Sequence, residues 1–381
     1  MKSESASLTL APDLTSFLHL LLPGERSPLY PFPTSQVEFG QGTAALKAAG
    51  FLDKQEKASP LAGRLLGNMV RAKAVTRVRL MSDGGLLEYH VFLAGDKPEE
   101  ATSLRPSGKE WCFDSPASLA ELSVSLEDMI GNSRIAAIPT IGELGRNSSL
   151  VLAAVIDRTR HELLEAMGKN QPWRSEPLLA ESLLSLLGQQ NLNPSWLLWL
   201  CQGLKTTETA WQKSDVEAAL ADLKTRGLLE VARNGFVLSG EALFLAGRFL
   251  LLPTLVRLDA SAVTPGGVVR SAFGVVQNGV RDLLLIEPGE ETWHWVGLSA
   301  QTLVGLIERY VVDPSILKGS VTASGALCSS CGKQIEPSVP FCKFCGSPQQ
   351  EVKEKPRFCS KCGSELKKGK KFCPKCGAPG K

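Results

Sequence analysis

From the N-terminus to Asp313, helical and strand-like patterns of apolar positions follow one order twice, so the chain reads as an internal duplication. Each pass opens with an S-x-x-E capping box, Ser35-Gln-Val-Glu38 and then Ser214-Asp-Val-Glu217. In that motif the serine caps the helix and the glutamate reaches back to the cap. Each helix is predicted to stop at a glycine that can turn left-handed, in Leu46-Lys-Ala-Ala-Gly50 and in Leu223-Lys-Thr-Arg-Gly227. The second pass then shows a short hairpin, with Asn234-Gly235 as a type I′ signal between apolar runs at 229–232 and 236–238. A second helix opens at Ser59-Pro60, a cap followed by proline in the first turn, and its counterpart opens at Ser239. Helix, tight turn, helix and wing make a winged-helix outline.

Alternating positions follow in both passes. The first predicts strands at 74–81 and 86–93 around Asp83-Gly84-Gly85, and a third at Trp111-Cys112-Phe113. The second predicts strands at 255–258, 271–276, 280–287 and 292–296, with a turn at Asn278-Gly279. A closing amphipathic helix follows each set, at 118–130 and 300–311, and Trp111 and Trp295 stand at the same offset from its leucines. The expected fold is α+β: a pseudo-duplicated body with winged-helix-like elements, in which each half forms its own small antiparallel sheet. The halves span 1–140 and 213–317, and 141–212 is a helical connector with helices at 148–167 and 178–204. A Ser/Gly/Ala-rich linker covers 318–327.

The C-terminal segment carries the most specific chemistry. Eight of the ten cysteines fall between Cys328 and Cys376 as four copies of C-x-x-C-G: Cys328/Cys331, Cys342/Cys345, Cys359/Cys362 and Cys373/Cys376. Ten residues separate Cys331 from Cys342, and ten separate Cys362 from Cys373. Zn²⁺ prefers four thiolates in a tetrahedron at about 2.3 Å. Two intervening residues let one tight turn present both sulfurs, and the following glycine accepts positive φ. The pattern reads as two structural zinc sites, in ribbons at 328–346 and 358–377 joined by a linker at 347–357. Disulfides are the competing assignment; paired C-x-x-C in a chain with no secretory signal favours metal. With Phe341, Phe358 and Phe372 preceding three knuckles, the segment resembles the double zinc ribbon family. That resemblance implies a metal-held knuckle fold whose members bind protein, RNA or DNA, or cap a larger protein.

Charge refines the picture. The chain carries a net +3, but residues 351–381 hold ten Lys/Arg against three Glu, and residues 1–324 hold 30 basic against 35 acidic residues. The tail lysines Lys367, Lys368, Lys370 and Lys371 could meet nucleic acid or an acidic partner. Within the body, Arg64, Arg71, Lys73, Arg77 and Arg79 form a basic stretch, which reads as a solvated surface. The most apolar run, 243–258, is broken by Arg248 and Arg257, so it reads as a core element rather than a membrane span. No apolar segment follows a basic N-terminus, and the expected location is cytoplasmic.

No catalytic constellation is expected. His19, His90, His161 and His294 are scattered, Cys112 and Cys201 lie among apolar residues, and neither Gly40-Gln41-Gly42 nor Gly266-Gly267 makes a phosphate loop. The element order, with Gly227, Ser239 and Trp295 as landmarks, resembles the type VII secretion chaperones of mycobacteria, which are also pseudo-duplicated. That resemblance implies capture of a helical secretion substrate. The expectation is a non-enzymatic, zinc-binding adaptor or chaperone-like protein with a protein partner. The alternative is a nucleic-acid-binding regulator, with a winged-helix body, that uses the basic ribbon tail and the Arg64 to Arg79 stretch.

Overall fold

A computed structural model describes residues 6–22, 26–32, 39–82, 85–95, 100–115, 119–189, 197–204, 210–251, 254–264, 267–289, 291–312, 326–327 and 334–335. The chain divides into two units, 1–322 and 323–381. The first half of the body runs β1 (Ala6–Leu10), a 3-10 turn (Pro12–Phe17), α1 (Leu18–Leu21), α2 (Phe39–Ala48), α3 (Pro60–Val70), β2 (Ala74–Ser82), β3 (Gly85–Leu93), β4 (Ala101–Ser107), β5 (Glu110–Ser115) and α4 (Leu119–Ile130). The second half runs β6 (Gly142–Gly145), α5 (Arg146–Gly168), α6 (Ala180–Leu187), α7 (Leu197–Leu204), α8 (Lys213–Thr225), β7 (Leu229–Ala232), β8 (Gly235–Leu238), α9 (Gly240–Arg248), β9 (Thr254–Thr264), β10 (Gly267–Asn278), β11 (Asp282–Pro288), β12 (Thr292–Leu298) and α10 (Ala300–Val312).

The two expected small sheets are in fact one. Ten strands form an antiparallel sheet in the order β1-β5-β4-β3-β2-β9-β10-β11-β12-β6. The first long strand of each half pairs with its counterpart, from Ala74↔Ala262 to Ser82↔Thr254. Each half alone would leave that strand as a bare edge, and pairing satisfies both edges at once. Val78 sits opposite Leu258, its own counterpart in the second half, so a local twofold axis runs through this pair. The span 141–212, read from sequence as a connector, supplies β6, which pairs with β12 as β1 pairs with β5.

The duplication extends to single hydrogen bonds. Gly50 (φ +80°) and Gly227 (φ +74°) both end a helix in the left-handed region. Phe51 N–H donates to the Leu46 carbonyl, and Leu228 N–H to Leu223, the long closing bond of this C-cap. Ser59 Oγ then donates to the Gly50 carbonyl at 2.7 Å, and Ser239 Oγ to Gly227 at 3.0 Å. Ser59 also caps α3 by accepting from Ala62 N–H, whereas the Ser239 side chain caps nothing.

Three local expectations shift. The capping box of α8 is Gln212 with Asp215, not Ser214 with Glu217, because the buried stripe Val216, Ala219, Leu220 and Leu223 starts the helix at Lys213. The box at Ser35 and Glu38 lies outside the described residues. The hairpin turns at Arg233-Asn234, one residue before the expected Asn234-Gly235, because the ladder sets Leu229 opposite Leu238 and Ala232 opposite Gly235. The helix expected at 178–204 is two helices, α6 and α7.

Helices cover both faces of the sheet. On one face α4 and α10 pack over Val78, Leu80, Leu258 and Phe273, the buried side chains nearest the axis. Thr76 Oγ1 donates to the Tyr310 carbonyl there, and Gln277 Nε2 to Ile130. On the opposite face the helices form two separate groups. Those of the first half cover Phe92, Leu104 and Phe113, and α5 to α9 cover Leu255, Val276, Trp293 and Trp295. Helix α7 lies close on β10: a Cβ on Gly274 would come within 2.8 Å of the Leu200 side chain, which would have to shift to admit it.

In the second unit the described residues are β13 (Ala326–Leu327) and β14 (Gln334–Ile335), which pair antiparallel. All eight predicted zinc ligands, Cys328, Cys331, Cys342, Cys345, Cys359, Cys362, Cys373 and Cys376, lie outside the described residues.

Candidate functional site

Between the two helix groups, the centre of the sheet exposes a window of charge. Strand alternation sends Val75, Arg77, Arg79 and Met81 of β2 to this face. The ladder then sets two rows across the inner strands. One row is Ala272–Asp259–Arg77–His90, and the next is Gly274–Arg257–Arg79–Glu88. One flanking row is mixed, with Phe92, Val75 and Ser261 and then the exposed Arg270, and the other is apolar, with Leu86, Met81 and Leu255. Arg77 and Arg257 are counterparts in the duplication, and Arg79 and Asp259 are another such pair.

The side chains of Arg77 and Arg79 keep 38% and 34% of their surface exposed, and Arg257 and Asp259 keep 28% each. That is a large share for the innermost strands of a ten-stranded sheet. Helix α7 borders the window, where Arg257 comes so near Gly203 that a Cβ there would meet Nη1 at 2.7 Å. Trp111 of β5 borders the other side, with its ring 6.1 Å from that of His90.

Ion pairs order most of the window. Arg79 Nε donates to Glu88 Oε1 at 3.0 Å, and His90 Nε2 contacts the same oxygen at 2.9 Å. Burial alone would raise the Glu88 carboxyl, but the hydrogen bonds from His90 and Arg79 outweigh it and hold the group below its ordinary value. Arg257 grips Asp259 through Nε and Nη2, at 2.9 and 2.7 Å. Arg77 is different. Its Nε is buried and makes no hydrogen bond, and Glu88 Oε1 lies 4.0 Å away. Burial and the neighbouring Arg79 charge both push its pKa down.

His90 is buried, and burial drives its imidazole down to about 4 despite the Glu88 hydrogen bond. The ring is therefore neutral at neutral pH, and the window holds three guanidinium groups against two carboxylates. A base whose folded pKa lies below its unfolded value stabilises the fold above the unfolded pKa, and that contribution is lost as pH falls through the folded one. The window runs from 6.5 down to about 4. Relative to His90→Gln, the wild type is expected to lose about 3 kcal/mol of unfolding free energy between pH 7 and pH 4. Urea titrations at several pH values check this, and parallel curves for the two proteins would contradict it.

Of the basic stretch read from sequence, only Arg77 and Arg79 come together; Arg64, Arg71 and Lys73 are exposed elsewhere, on α3 and the loop after it. Sequence reading missed Glu88, Arg257 and Asp259 and left His90 unassigned. Their signal is charge at alternating positions within otherwise apolar strands. Cys112 and Cys201 are buried, as expected, and burial pushes the Cys201 thiol well up. Among the described residues, no group of three or more His, Cys, Asp or Glu is placed to hold a metal ion. Among them, too, no helix is long and apolar enough to cross a membrane.

Residues 328–377 match the family model described as double zinc ribbon, a match that implies zinc binding by this segment. Four C-x-x-C pairs are a donor set suited to that metal. The chain is also similar to a solved structure, that of the Mycobacterium tuberculosis type VII secretion system chaperone EspG5 in complex with the PE25-PPE41 dimer. Identity is 12%, the alignment covers 81% of this chain and 96% of that chain, and the TM-score is 0.44. No curated protein matches.

Proposed function

We propose that this chain is a non-enzymatic, cytoplasmic adaptor or chaperone-like protein. Its body binds a protein partner and its C-terminal ribbons hold two structural zinc ions. The observation that carries the protein-binding half is the open window. The two helix groups leave the sheet's innermost strands uncovered on one face, and mixed charge with a partly apolar border faces outward there. Such a surface suits a protein, which offers both signs of charge and apolar contact. The sequence resemblance to type VII secretion chaperones adds a partner class, a small helical secretion substrate. Cys328, Cys331, Cys342 and Cys345 would hold one zinc, and Cys359, Cys362, Cys373 and Cys376 the other. With every ligand position filled by protein, the metal's contribution is to hold the fold.

A second reading rests on the surplus of basic residues in 351–381. It makes the ribbon a nucleic-acid contact.

Capture of partners by the full chain from its native lysate, with and without nuclease and at rising salt, separates the two. The adaptor reading expects one stoichiometric protein that survives nuclease and varies little with salt. The regulator reading expects every partner to vanish with nuclease, and nucleic-acid affinity to fall steeply with salt. Loss of all partners on nuclease treatment would overturn the first reading.

A further inference from the structure

We infer that the window is a receptor for a single carboxylate side chain of a protein partner, and that Arg77 is its principal donor. This rests on the protein-binding reading above. Three observations carry it. First, Arg79 and Arg257 are already committed to Glu88 and Asp259, whereas Arg77 Nε is buried without a hydrogen bond. The Arg77 side chain is 38% exposed, so an incoming carboxylate can pair with the open end of the one guanidinium of the three that is not hydrogen-bonded to Glu88 or Asp259. Second, Arg79 and Arg257 stand directly opposite each other in the ladder, a repulsive pairing. Three guanidinium groups against two carboxylates leave one positive charge in excess, which one added carboxylate balances.

Third, size and sign favour a protein side chain over a phosphate backbone. From β3 to β9 is two strand spacings, about 10 Å, and two residues along a strand span about 7 Å. An opening of that size admits one or two side chains. Glu88 and Asp259 within it would repel a polyanion that passed across. The half-buried Val75 and Met81 lie on either side, and a partner's neighbouring apolar atoms would rest against these two.

The test uses the full chain and four fluorescent probes. Three are alanine- and leucine-based helical peptides alike except for Glu, Gln or Lys at one position per turn, and the fourth is a single-stranded DNA of similar length. By anisotropy the Glu peptide is expected to bind roughly tenfold or more tightly than the Gln peptide. Arg77→Gln should abolish that preference while leaving the melting temperature in place. Arg77→Glu should reverse it in favour of a peptide with Lys at the same positions, a result that general misfolding cannot produce. Equal binding of Glu and Gln peptides, or binding of neither, overturns the inference. So does DNA that competes for the window and loses affinity with Arg77→Gln, since that makes the window a polyanion site. If Arg77→Glu still captures the stoichiometric partner from lysate, the window assignment fails and the protein-binding reading survives. If the wild type captures none, that reading itself fails.

Discussion

Asp157→Ala is expected to lower the stability of the body by about 3–5 kcal/mol, the usual cost of breaking a buried ion pair from one side. Asp157 is 3% exposed, within α5, and pairs with Arg160 one turn on. Its carboxylate also accepts the N–H groups of Leu197 and Leu198, at 2.9 and 2.7 Å. These begin α7, so a side chain from another helix satisfies two of that helix's free donors. Arg160 meanwhile reaches the Leu250 carbonyl. Removing the carboxylate strands two backbone donors and a buried guanidinium together. Arg160→Ala should cost a similar amount, and the double variant well under the sum of the two, because neither charge is then left alone. Urea denaturation of the four proteins measures the coupling, and additive losses would show that the pair does not act as a unit.

The pH dependence of this site runs opposite to that of His90. Burial pushes the Asp157 carboxyl up from 3.8 to about 6, against the charge of Arg160 and the two backbone hydrogen bonds. A group whose folded pKa is raised contributes stability below the unfolded value and loses it as pH rises through the folded one. Between pH 4 and 6, Asp157 and His90 therefore offset one another, and the wild type changes little through their joint effect. The consequence reaches the window, since α7 is its border. Leu200 presses on Gly274 and Gly203 lies against Arg257, so loosening the N-terminus of α7 frees the wall that holds Arg257.

Much of the fold is legible in the sequence because its signals are local. A capped helix, a C-cap glycine and strand alternation each speak through a few neighbouring residues, which is why Ser59-Pro60, Gly50, Gly227 and the meander strands stand out. The joining of two sheets into one is not legible. It depends on the pairing of Ala74–Ser82 with Thr254–Thr264, from opposite halves of the body, and antiparallel edges carry no address in sequence. The same gap hides the window. Arg77 and Arg79 read as solvated because nothing nearby shows that Asp259 and Arg257 face them. Strand β1 and the role of β6 escape for a related reason: each is short and finds its partner at the far end of its half. The capping box moves because a buried stripe, not the best capping pair, sets where α8 begins.

Cys328→Ser and Cys376→Ser are each expected to remove one of two zinc ions per chain and to unfold only the ribbon that carries the change. Elemental analysis reads the first effect and proton NMR of the ribbon resonances the second. Each ribbon spans about twenty residues, and below about 40 a domain rarely buries enough apolar surface to fold without a metal or covalent staple. Structural zinc supplies an apparent 10–16 kcal/mol in peptides of this size, about the whole folding free energy of such a unit. A serine hydroxyl does not replace a thiolate as a ligand, so the remaining three cysteines hold the ion far more weakly. The proposed assignment puts Cys328 with Cys345 in one site and Cys359 with Cys376 in the other, because ten residues separate the knuckles within each pair, and on it the losses should be separate. If both ions leave after either change, the eight thiolates form one shared cluster. If both stay, the four-thiolate assignment is wrong and other side chains must complete the shell.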